Sequence, residues 1–552
     1  MLKQNTTWLF AMIGGATAAM AAGTVSSSAG HRVIIGGLGH NSSICLAHLN
    51  TKTGHLSISD SWAKTAGPSP AFMAWSSSSS GSGGLPVRNI LIANHAGSNG
   101  EAITAMQLYP PYAKRCSSVK TDDPCHISLH PSGRWAATAS YDAGTVGIVE
   151  LMPAPQAVEV SHTSPAAALL AGQQQQQQQE GRSEAVAAAG AEDAGVFLPA
   201  ELQLGRVTTY PTELVGAAAH EAKFSPDGSL LYVPCLKSDW VRMFKFDAQT
   251  GKLTPNSYLS ASSAAAAATA GFGPVAAAGE LDSANPAAEL GLAASLGTGG
   301  SSDSNTTAAP AAASAAAVPP TAAHAQVAGS SSSGDNRALL PDGSGPRHIV
   351  FHPKLPVAYV FNELSSTIAR FDWDSSGSSS GLLTADFDQQ PDRIVSTLPP
   401  GTSADSVCIK YGMSVVAGSN PPGDIACTDM CRPYGGAELA LSNDGRFLYA
   451  SNRGLCEGTP AAGKSSIVVF AVDGVTGALT ALDWRYGGGD VQHPRHFSLT
   501  PDEANAYLLV ANMNGASVTV FRRDSSSGLL SKVATVSTAG AGVQQPAFVA
   551  VI

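Results

Sequence analysis

The fold is decided by one short stretch that recurs along the chain. Residues 220–234 read HEAKFSPDGSLLYVP, and residues 347–362 read RHIVFHPKLPVAYVFN on the same plan. Three further copies read AELALSNDGRFLYASN at 437–452, CHISLHPSGRW at 125–135 and RHFSLTPDEANAY at 495–507. Each copy has an alternating strand, a turn typified by Pro-Asp-Gly and a second strand, which is the pattern of a β-hairpin.

Further strands extend each hairpin into a larger unit. A third strand leads to a glycine turn shortly before a Leu, as at Gly54, Gly251, Gly381, Gly477 and Gly528. A unit of about four short strands that recurs every 40 to 50 residues or so is typical of a β-propeller. No stretch predicts a long helix.

The number of units predicts the number of blades. Six units start near Pro68, Cys125, His220, Arg347, Ala437 and Arg495. Residues 545–552 resemble the first strand of another unit, and residues 32–56 resemble the strands that would complete it. Pairing the two ends would close the ring and leave no open sheet edge. We therefore predict an all-β fold, a single seven-bladed β-propeller over residues 31–552.

Two low-complexity segments interrupt the repeats. One spans about residues 152–199 and holds the glutamine run 173–179, and the other spans about residues 260–339 and is rich in Ala, Ser, Gly and Thr. Both have too few large apolar residues to offset the entropy of ordering. We predict that they are disordered insertions in the propeller.

Residues 1–30 resemble a targeting segment. Lys3 precedes an apolar stretch that contains Ala19-Met20-Ala21, an A-x-A pattern typical of secretory signals. No acidic residue precedes Asp60, which also fits an organelle transit peptide. An uncleaved, Ala-rich tail is the third interpretation. The sequence thus favours the secretory pathway and leaves plastid and cytoplasm open.

Composition excludes several classes of partner. Charged residues make up 13% of the chain and the formal net charge is −10, so a basic surface for nucleic acid is not expected. Past the N-terminal segment no apolar run approaches the roughly 20 residues of a membrane span. We therefore expect no nucleic acid and no membrane as partners of the mature chain, and the sequence leaves the oligomeric state open.

The eight cysteines leave several pairings open. Cys116 and Cys125 bracket a short loop, so we predict that they form a disulfide if the chain is in an oxidising compartment. The others of note cluster late in the chain, at Cys408, Cys427, Cys431 and Cys456. No His or Cys pair stands at zinc-finger spacing from them, so we predict no metal site.

The repeat also predicts which side chains converge. In an antiparallel hairpin, the start of the first strand and the end of the second lie at the same end of the sheet. The innermost strands of a propeller surround a central channel, so both positions should ring one mouth. The first position holds Cys125, His220, Arg347, Ala437 and Arg495, and the second holds His95, Tyr141, Leu236, Glu363, Arg453 and Met513.

We therefore predict a polar pocket formed by His220, Arg347, Glu363 and Arg453. A purely structural alternative is that Arg347 pairs with Glu363, and Glu438 with Arg453, to lock single blades.

Four strand ends carry a resemblance to a known family. They read Gly-Pro-Arg347-His348, Phe-Asn-Glu363-Leu-Ser-Ser, Ser-Asn-Arg453-Gly and Pro-Arg495-His496-Phe. These motifs resemble the seven-bladed lactonase family, which contains bacterial-type 6-phosphogluconolactonases and fungal carboxy-muconate lactonizing enzymes. Bacterial members usually show a second His two residues before the one that matches His220, where this chain has Ala218.

The resemblance implies a lactone hydrolase that acts on a small anionic substrate, most simply a sugar lactone. The family's catalytic His matches His220, its two Arg match Arg347 and Arg453, and its Glu matches Glu363. Such a reaction needs no cofactor and no metal.

Arg495 shares the position of Arg347 and His95 that of Glu363, so both are expected to bind substrate. Two other functions are kept: a muconate-type lactonizing cycloisomerase and a non-catalytic propeller that serves as a binding scaffold.

Overall fold

A computed structural model describes most of the repeat sequence. The described residues are 30–39, 42–62, 65–77, 88–95, 103–109, 112–153, 201–212, 217–256, 336–373, 381–405, 407–408, 413–414, 430–456, 462–486 and 490–552. The targeting segment expected at 1–30 lies outside these residues except for Gly30. So do nearly all of the two expected insertions.

Seven sheets of four or five strands are arranged as blades. The first three strands of the chain are β1 (Gly30–Gly37), β2 (Ile44–Asn50) and β3 (Leu56–Trp62). Blade 1 contains β4 (Pro70–Ser77), β5 (Arg88–Asn94), β6 (Ile103–Tyr109) and β7 (Tyr112–Val119). Blade 2 contains β8 (Pro124–Leu129), β9 (Trp135–Ser140), β10 (Thr145–Pro153) and β11 (Leu202–Pro211).

Blades 3 and 4 each have a divided outer strand. Blade 3 contains β12 (Lys223–Phe224), β13 (Leu230–Cys235), β14 (Trp240–Asp247), β15 (Lys252–Pro255) and β16 (Arg337–Leu339). Blade 4 contains β17 (Pro346–Phe351), β18 (Val357–Asn362), β19 (Thr367–Trp373), β20 (Leu383–Thr384) and β21 (Ile394–Ser396), with a 3₁₀ turn, η1, at Pro391–Arg393. Both β15 and β16 pair with β14, so β16 is a blade strand inside the range expected to be an insertion.

The remaining strands follow the same plan. A small sheet of β22 (Val407–Cys408), β23 (Met413–Ser414) and β24 (Met430–Cys431) precedes blade 5. Blade 5 contains β25 (Tyr434–Leu441), β26 (Phe447–Gly454), β27 (Ser466–Val472) and β28 (Leu479–Tyr486). Blade 6 contains β29 (Pro494–Leu499), β30 (Tyr507–Asn512), β31 (Ser517–Arg523) and β32 (Leu530–Ser537), after which come the 3₁₀ turn η2 (Ala539–Ala541) and β33 (Pro546–Val551).

The two ends of the chain form the seventh blade together. Strand β33 is innermost in this sheet and pairs antiparallel with β1, with Ile35 opposite Val549 and Val33 opposite Val551. Beyond the strand, the Ile552 N–H donates to the Arg32 carbonyl at 2.8 Å. In this blade β33 packs against β4 of blade 1 and β29 of blade 6. The predicted seven-bladed, end-closed propeller is confirmed.

The blades are joined by apolar contacts and by the Tyr of the repeat. Seven buried apolar clusters are found among the described residues, and each lies between two neighbouring blades. Tyr359 donates to the Gly477 carbonyl of the next blade at 2.7 Å, and Tyr449 donates to Gly528 at 2.8 Å. Gly477 has φ +70°, a conformation that glycine adopts without strain. The repeated Tyr and glycine turn are therefore two halves of one contact between blades.

Helical structure in the described part of the chain is confined to the two 3₁₀ turns. None of the described helices is long and apolar enough to cross a membrane.

The disulfide predicted between Cys116 and Cys125 is wrong. Cys116 lies in the outermost strand of blade 1 and Cys125 in the innermost strand of blade 2, and both are free thiols. The disulfide in the described residues joins Cys431 to Cys456, two members of the late cluster.

Candidate active site

The inner strands of four blades share a β-bulge at the channel mouth. The register shifts between Pro70 and Phe72, Pro124 and His126, Pro346 and His348, and Pro494 and His496. A bulge sets two residues opposite one on the neighbouring strand. In blade 4, Arg347 therefore reaches the mouth while the next residue, His348, lines the channel below it.

Glu363 bridges two arginines at this mouth. Its Oε2 lies 2.9 Å from Arg347 Nε, and its Oε1 lies 2.7 Å from Arg453 Nη2. The two arginine side chains are only 3% and 8% exposed. Although burial opposes ionisation, Arg453 and Arg347 hold the pKa of Glu363 below its usual value. Glu363 is therefore a carboxylate at neutral pH.

A glycine lets this bridge cross from blade 4 to blade 5. The Gly436 N–H donates to the Glu363 carbonyl at 3.0 Å, and the Gly436 carbonyl accepts from Arg453 Nη2 at 2.9 Å. A Cβ at Gly436 would lie 2.7 Å from the Phe361 ring, so only glycine allows this approach. The proposed Arg347–Glu363 pair is therefore present, but Arg453 pairs with Glu363 rather than with Glu438.

Several buried polar atoms at the mouth have no hydrogen-bond partner among the described residues. They include Nδ1 of His220 and Nε of Arg453. Buried polar groups are nearly always paired, and exceptions require an explanation. Because both atoms belong to the predicted pocket, we interpret them as groups that are free to contact a ligand.

His220 is fixed by its backbone at the edge of this cluster. Its N–H donates to the Pro234 carbonyl at 3.0 Å, and its ring centroid lies 5.4 Å from that of His348 and 5.9 Å from that of Tyr141. Burial, together with Arg347 and His348, lowers the pKa of His220 well below its ordinary value. The imidazole is therefore neutral at pH 7 and can accept a proton.

Arg495 belongs to the same mouth, and His95 faces a carboxylate. Burial, Arg347 and Arg453 together lower the pKa of Arg495 to about 10, so it stays charged at neutral pH beside the other guanidinium groups. His95 Nδ1 lies 3.2 Å from Asp123 Oδ2. The mouth thus combines three arginines with one bridging carboxylate, an excess of positive charge that favours an anionic ligand.

A second ring of side chains lies one residue deeper in the channel. We call it the inner ring, and its members are Phe72, His126, Glu221, His348, Glu438 and His496. They line a cavity of about 470 Å³. In this ring His348 Nδ1 lies 3.1 Å from Glu438 Oε1, and His126 Nε2 lies 3.6 Å from Glu221 Oε1.

Burial changes the acidity of Cys125 and Glu221 in the site. Burial raises the pKa of Cys125 to about 12, so its thiol is not a nucleophile at neutral pH. Burial also raises the pKa of Glu221 to about 7.

Among the described residues, no three His, Cys, Asp or Glu side chains are grouped to hold a metal ion.

A family model described as "Lactonase, 7-bladed beta-propeller" matches residues 20–274 and 327–550. The chain belongs to this lactonase family. The four motifs at Arg347, Glu363, Arg453 and Arg495 all lie in the matched residues.

The curated relatives match a part of this chain. A 6-phosphogluconolactonase from Formosa agariphila is 30% identical over 191 residues, which is 35% of this chain and 40% of that protein. A 6-phosphogluconolactonase from Bacillus subtilis is 26% identical over 188 residues, 34% of this chain and 40% of that protein. The matched region thus spans about two fifths of the length of these relatives.

Solved structures share the fold of the chain over nearly its whole length. A protein from Lactobacillus plantarum superposes with a TM-score of 0.53 at 19% identity, covering 95% of this chain and 99% of its own. A periplasmic gluconolactonase from Pseudomonas aeruginosa has a TM-score of 0.51 at 17% identity, with the same coverage. These likenesses support the propeller fold.

Ala218, two residues before His220, has a special backbone conformation. It is fully buried and its φ is +58°, which is uncommon for a residue other than glycine. Its carbonyl accepts from the Leu236 N–H at 3.0 Å. This kink precedes the short bridge of Ala219 with Cys235 and so helps to position His220 at the mouth.

Our reading of the repeat missed Glu221 and Glu438 as partners of the buried histidines. Alternation predicts that consecutive strand residues point to opposite faces, so the residue that follows the start of the first strand was not assigned to the mouth. At the position that directly follows the start of the first strand, the aligned repeats hold His126, Glu221, His348, Glu438 and His496. That run of ionisable residues was the available signal.

Proposed function

We propose that the protein is a lactonase that hydrolyses a small anionic lactone, most simply a sugar lactone, at the mouth formed by His220, Arg347, Glu363 and Arg453. The observation that carries the proposal is the Glu363 bridge between two buried arginines, beside a neutral His220 with an unpaired Nδ1. Membership of the lactonase family and the names of the curated relatives also support it.

In the proposed reaction, His220 acts as the general base. It takes a proton from a water molecule whose oxygen attacks the lactone carbonyl carbon, and the carbonyl oxygen becomes an oxyanion. The ring C–O bond then breaks, and His220 returns the proton to the leaving hydroxyl oxygen. A low pKa makes protonated His220 a strong acid for this second step.

The arginines hold negative charge in this scheme. Arg347 and Arg453 bind the anionic group of the substrate, and their planar guanidinium groups suit a carboxylate or phosphate. Glu363 keeps both guanidinium groups in place and offsets part of their charge. Arg495 adds a third cation to the mouth, and His95 with Asp123 is proposed to line its edge.

The test is hydrolysis of a panel of sugar lactones, with and without a phosphate group, by wild type and two variants. His220→Ala should lower turnover by about 10² to 10⁴, and Arg347→Lys should weaken use of the anionic lactones because a point charge cannot replace a planar fork. The exposed His55 gives the matched control, since His55→Ala should leave turnover unchanged.

The other outcomes identify the alternatives. Equal turnover by wild type and His220→Ala would show that the base is assigned wrongly. Turnover of a muconate but of no lactone would favour a lactonizing cycloisomerase. Turnover of neither, with normal folding, would favour a non-catalytic scaffold.

A further inference from the structure

Beneath Arg347, a directed chain of contacts links the mouth to a buried carboxylate of the inner ring. Arg347 Nη1 lies 3.1 Å from His348 Nε2, and His348 Nδ1 lies 3.1 Å from Glu438 Oε1. Arg347 Nη1 also donates to the Ala437 carbonyl. His348 is 4% exposed and Glu438 is 8% exposed, so the chain is buried at every link.

The chemistry of the first link fixes the protonation of the second. A guanidinium group only donates hydrogen bonds, so His348 Nε2 must accept. Burial and Arg347 lower the pKa of His348 well below its usual value, so the ring is neutral and carries its one proton on Nδ1. That proton is donated to Glu438.

Glu438 is itself held in place from two sides. Its Oε1 also accepts from the Leu439 N–H at 3.0 Å, and its Oε2 lies 3.4 Å from His496 Nε2. His496 Nδ1 accepts from the Val549 N–H at 3.4 Å, which leaves the His496 proton on Nε2, facing the carboxylate. His348 is therefore the histidine that donates to Glu438, and the protonated Nε2 of His496 faces its second oxygen at 3.4 Å.

We propose that Glu438 and His348 are positioning residues that orient Arg347 toward the anionic group of the substrate. The carboxylate selects the tautomer of His348, and the unprotonated Nε2 of that tautomer holds the guanidinium in one orientation. This inference rests on the proposed function only for the identity of the substrate, since the orientation of Arg347 also governs the binding of a simple anion.

The propeller supplies a matched control in blade 2. His126 holds the same place after the bulge as His348 and is 3% exposed. Its Nδ1 accepts from the Ala222 N–H at 3.5 Å, and its Nε2 faces Glu221. The residue before His126 is Cys125, whereas the residue before His348 is Arg347. Loss of either histidine removes a buried ring that faces a glutamate, but of the two only His348 accepts from an arginine.

The experiment compares His348→Phe, His348→Gln and His126→Phe in the full-length chain. For phosphorylated sugar lactones, kcat/KM should fall about 10- to 100-fold in His348→Phe, the range for one hydrogen bond to a charged group. For the same lactones without phosphate the change should be below about threefold. His348→Gln, whose amide oxygen can accept from Arg347, should recover part of the loss, and His126→Phe should affect both substrates equally, without a selective loss on the phosphorylated lactones.

Two further measurements do not depend on turnover. Titration with inorganic phosphate should show weaker binding in His348→Phe than in His126→Phe. In ¹⁵N-histidine NMR, the signal that disappears in His348→Phe should belong to a ring protonated on Nδ1. If wild type hydrolyses no lactone, the proposed function fails while these two measurements still decide the role of His348.

Three results would overturn the inference. The first is an equal loss of anion selectivity in His348→Phe and His126→Phe, which would indicate a structural role. The second is unchanged phosphate affinity in His348→Phe, and the third is a proton on His348 Nε2.

Discussion

Replacement of Glu363 by Gln tests the charge arrangement of the mouth directly. The substitution keeps the size of the side chain and removes the carboxylate that faces Arg347 and Arg453. Three guanidinium groups, including that of Arg495, then remain close together without a bridging anion. We expect lower stability, lower turnover of anionic lactones and a new response to added anions.

The size of the stability loss follows from burial. Removing one partner of a buried ion pair costs about 3–5 kcal/mol, because the other charge stays desolvated. Arg347 and Arg453 are 3% and 8% exposed, whereas Glu363 is 21% exposed, so solvent screens part of the interaction. We therefore expect a loss near the lower end, about 3 kcal/mol.

The assay is urea denaturation of wild type and Glu363→Gln at several pH values, with and without inorganic phosphate. The two arginines hold the pKa of Glu363 below its ordinary value of 4.5 despite its burial, so its stabilising contribution is present above pH 4.5 and is lost as pH falls through the folded-state pKa. The difference between the two proteins should therefore shrink in acid. Phosphate should stabilise the variant more than wild type, because an anion that binds only the folded state replaces the lost charge.

An exposed pair provides the control for this substitution. Asp483 and Arg485 lie 2.7 Å apart with 30% and 42% exposed side chains, and such surface pairs contribute about 0–1 kcal/mol. If Glu363→Gln were no more destabilising than Asp483→Asn, and phosphate had equal effects on wild type and Glu363→Gln, the argument from buried charge would be refuted.

Two further predictions concern ring closure and the inner ring. Deletion of residues 546–552, which contain the innermost strand of the closing blade, should lower the melting temperature by at least about 10 °C, and an unchanged melting temperature would contradict closure by the chain ends. Burial lowers the pKa of His496 from 6.5 to about 4, so its stabilising effect is lost as pH falls through this window. His496→Phe should reduce the slope of unfolding free energy against pH by up to about 1.4 kcal/mol per pH unit, and identical slopes in urea denaturation would count against a neutral, buried His496.

Much of the fold follows from the sequence because each blade repeats the same contacts. The Tyr near the end of each hairpin and the glycine turn near the outer strand are visible as separate repeated features. The structure joins them, since Tyr359 reaches Gly477 and Tyr449 reaches Gly528 in the next blade. The hairpin pattern fixes the strands, and the recurring distance between features fixes the way in which neighbouring blades pack.

The sequence predicts the site less completely, for a local reason. Hairpin geometry correctly brings Arg347 and Glu363 into contact, because the two positions face each other within one blade. It does not predict that Arg453 crosses to Glu363 from the next blade, since that contact depends on the close approach allowed at Gly436. Nor does strict alternation predict the inner ring, because a bulge changes the direction of consecutive side chains.

The charges of the mouth and the histidines of the mouth and the inner ring depend on one another. Burial, helped by Arg347 of the mouth, holds the pKa values of His220 and His348 low, so both imidazoles stay neutral. A protonated His348 could not accept from Arg347, and a protonated His220 could not act as a base. The positive charge that attracts an anionic substrate thus adds to burial in keeping both histidines in the state that their proposed roles require. Glu438 accepts the hydrogen bond from His348 Nδ1 in this arrangement, so a carboxylate outside the mouth helps to determine how an arginine within it is oriented.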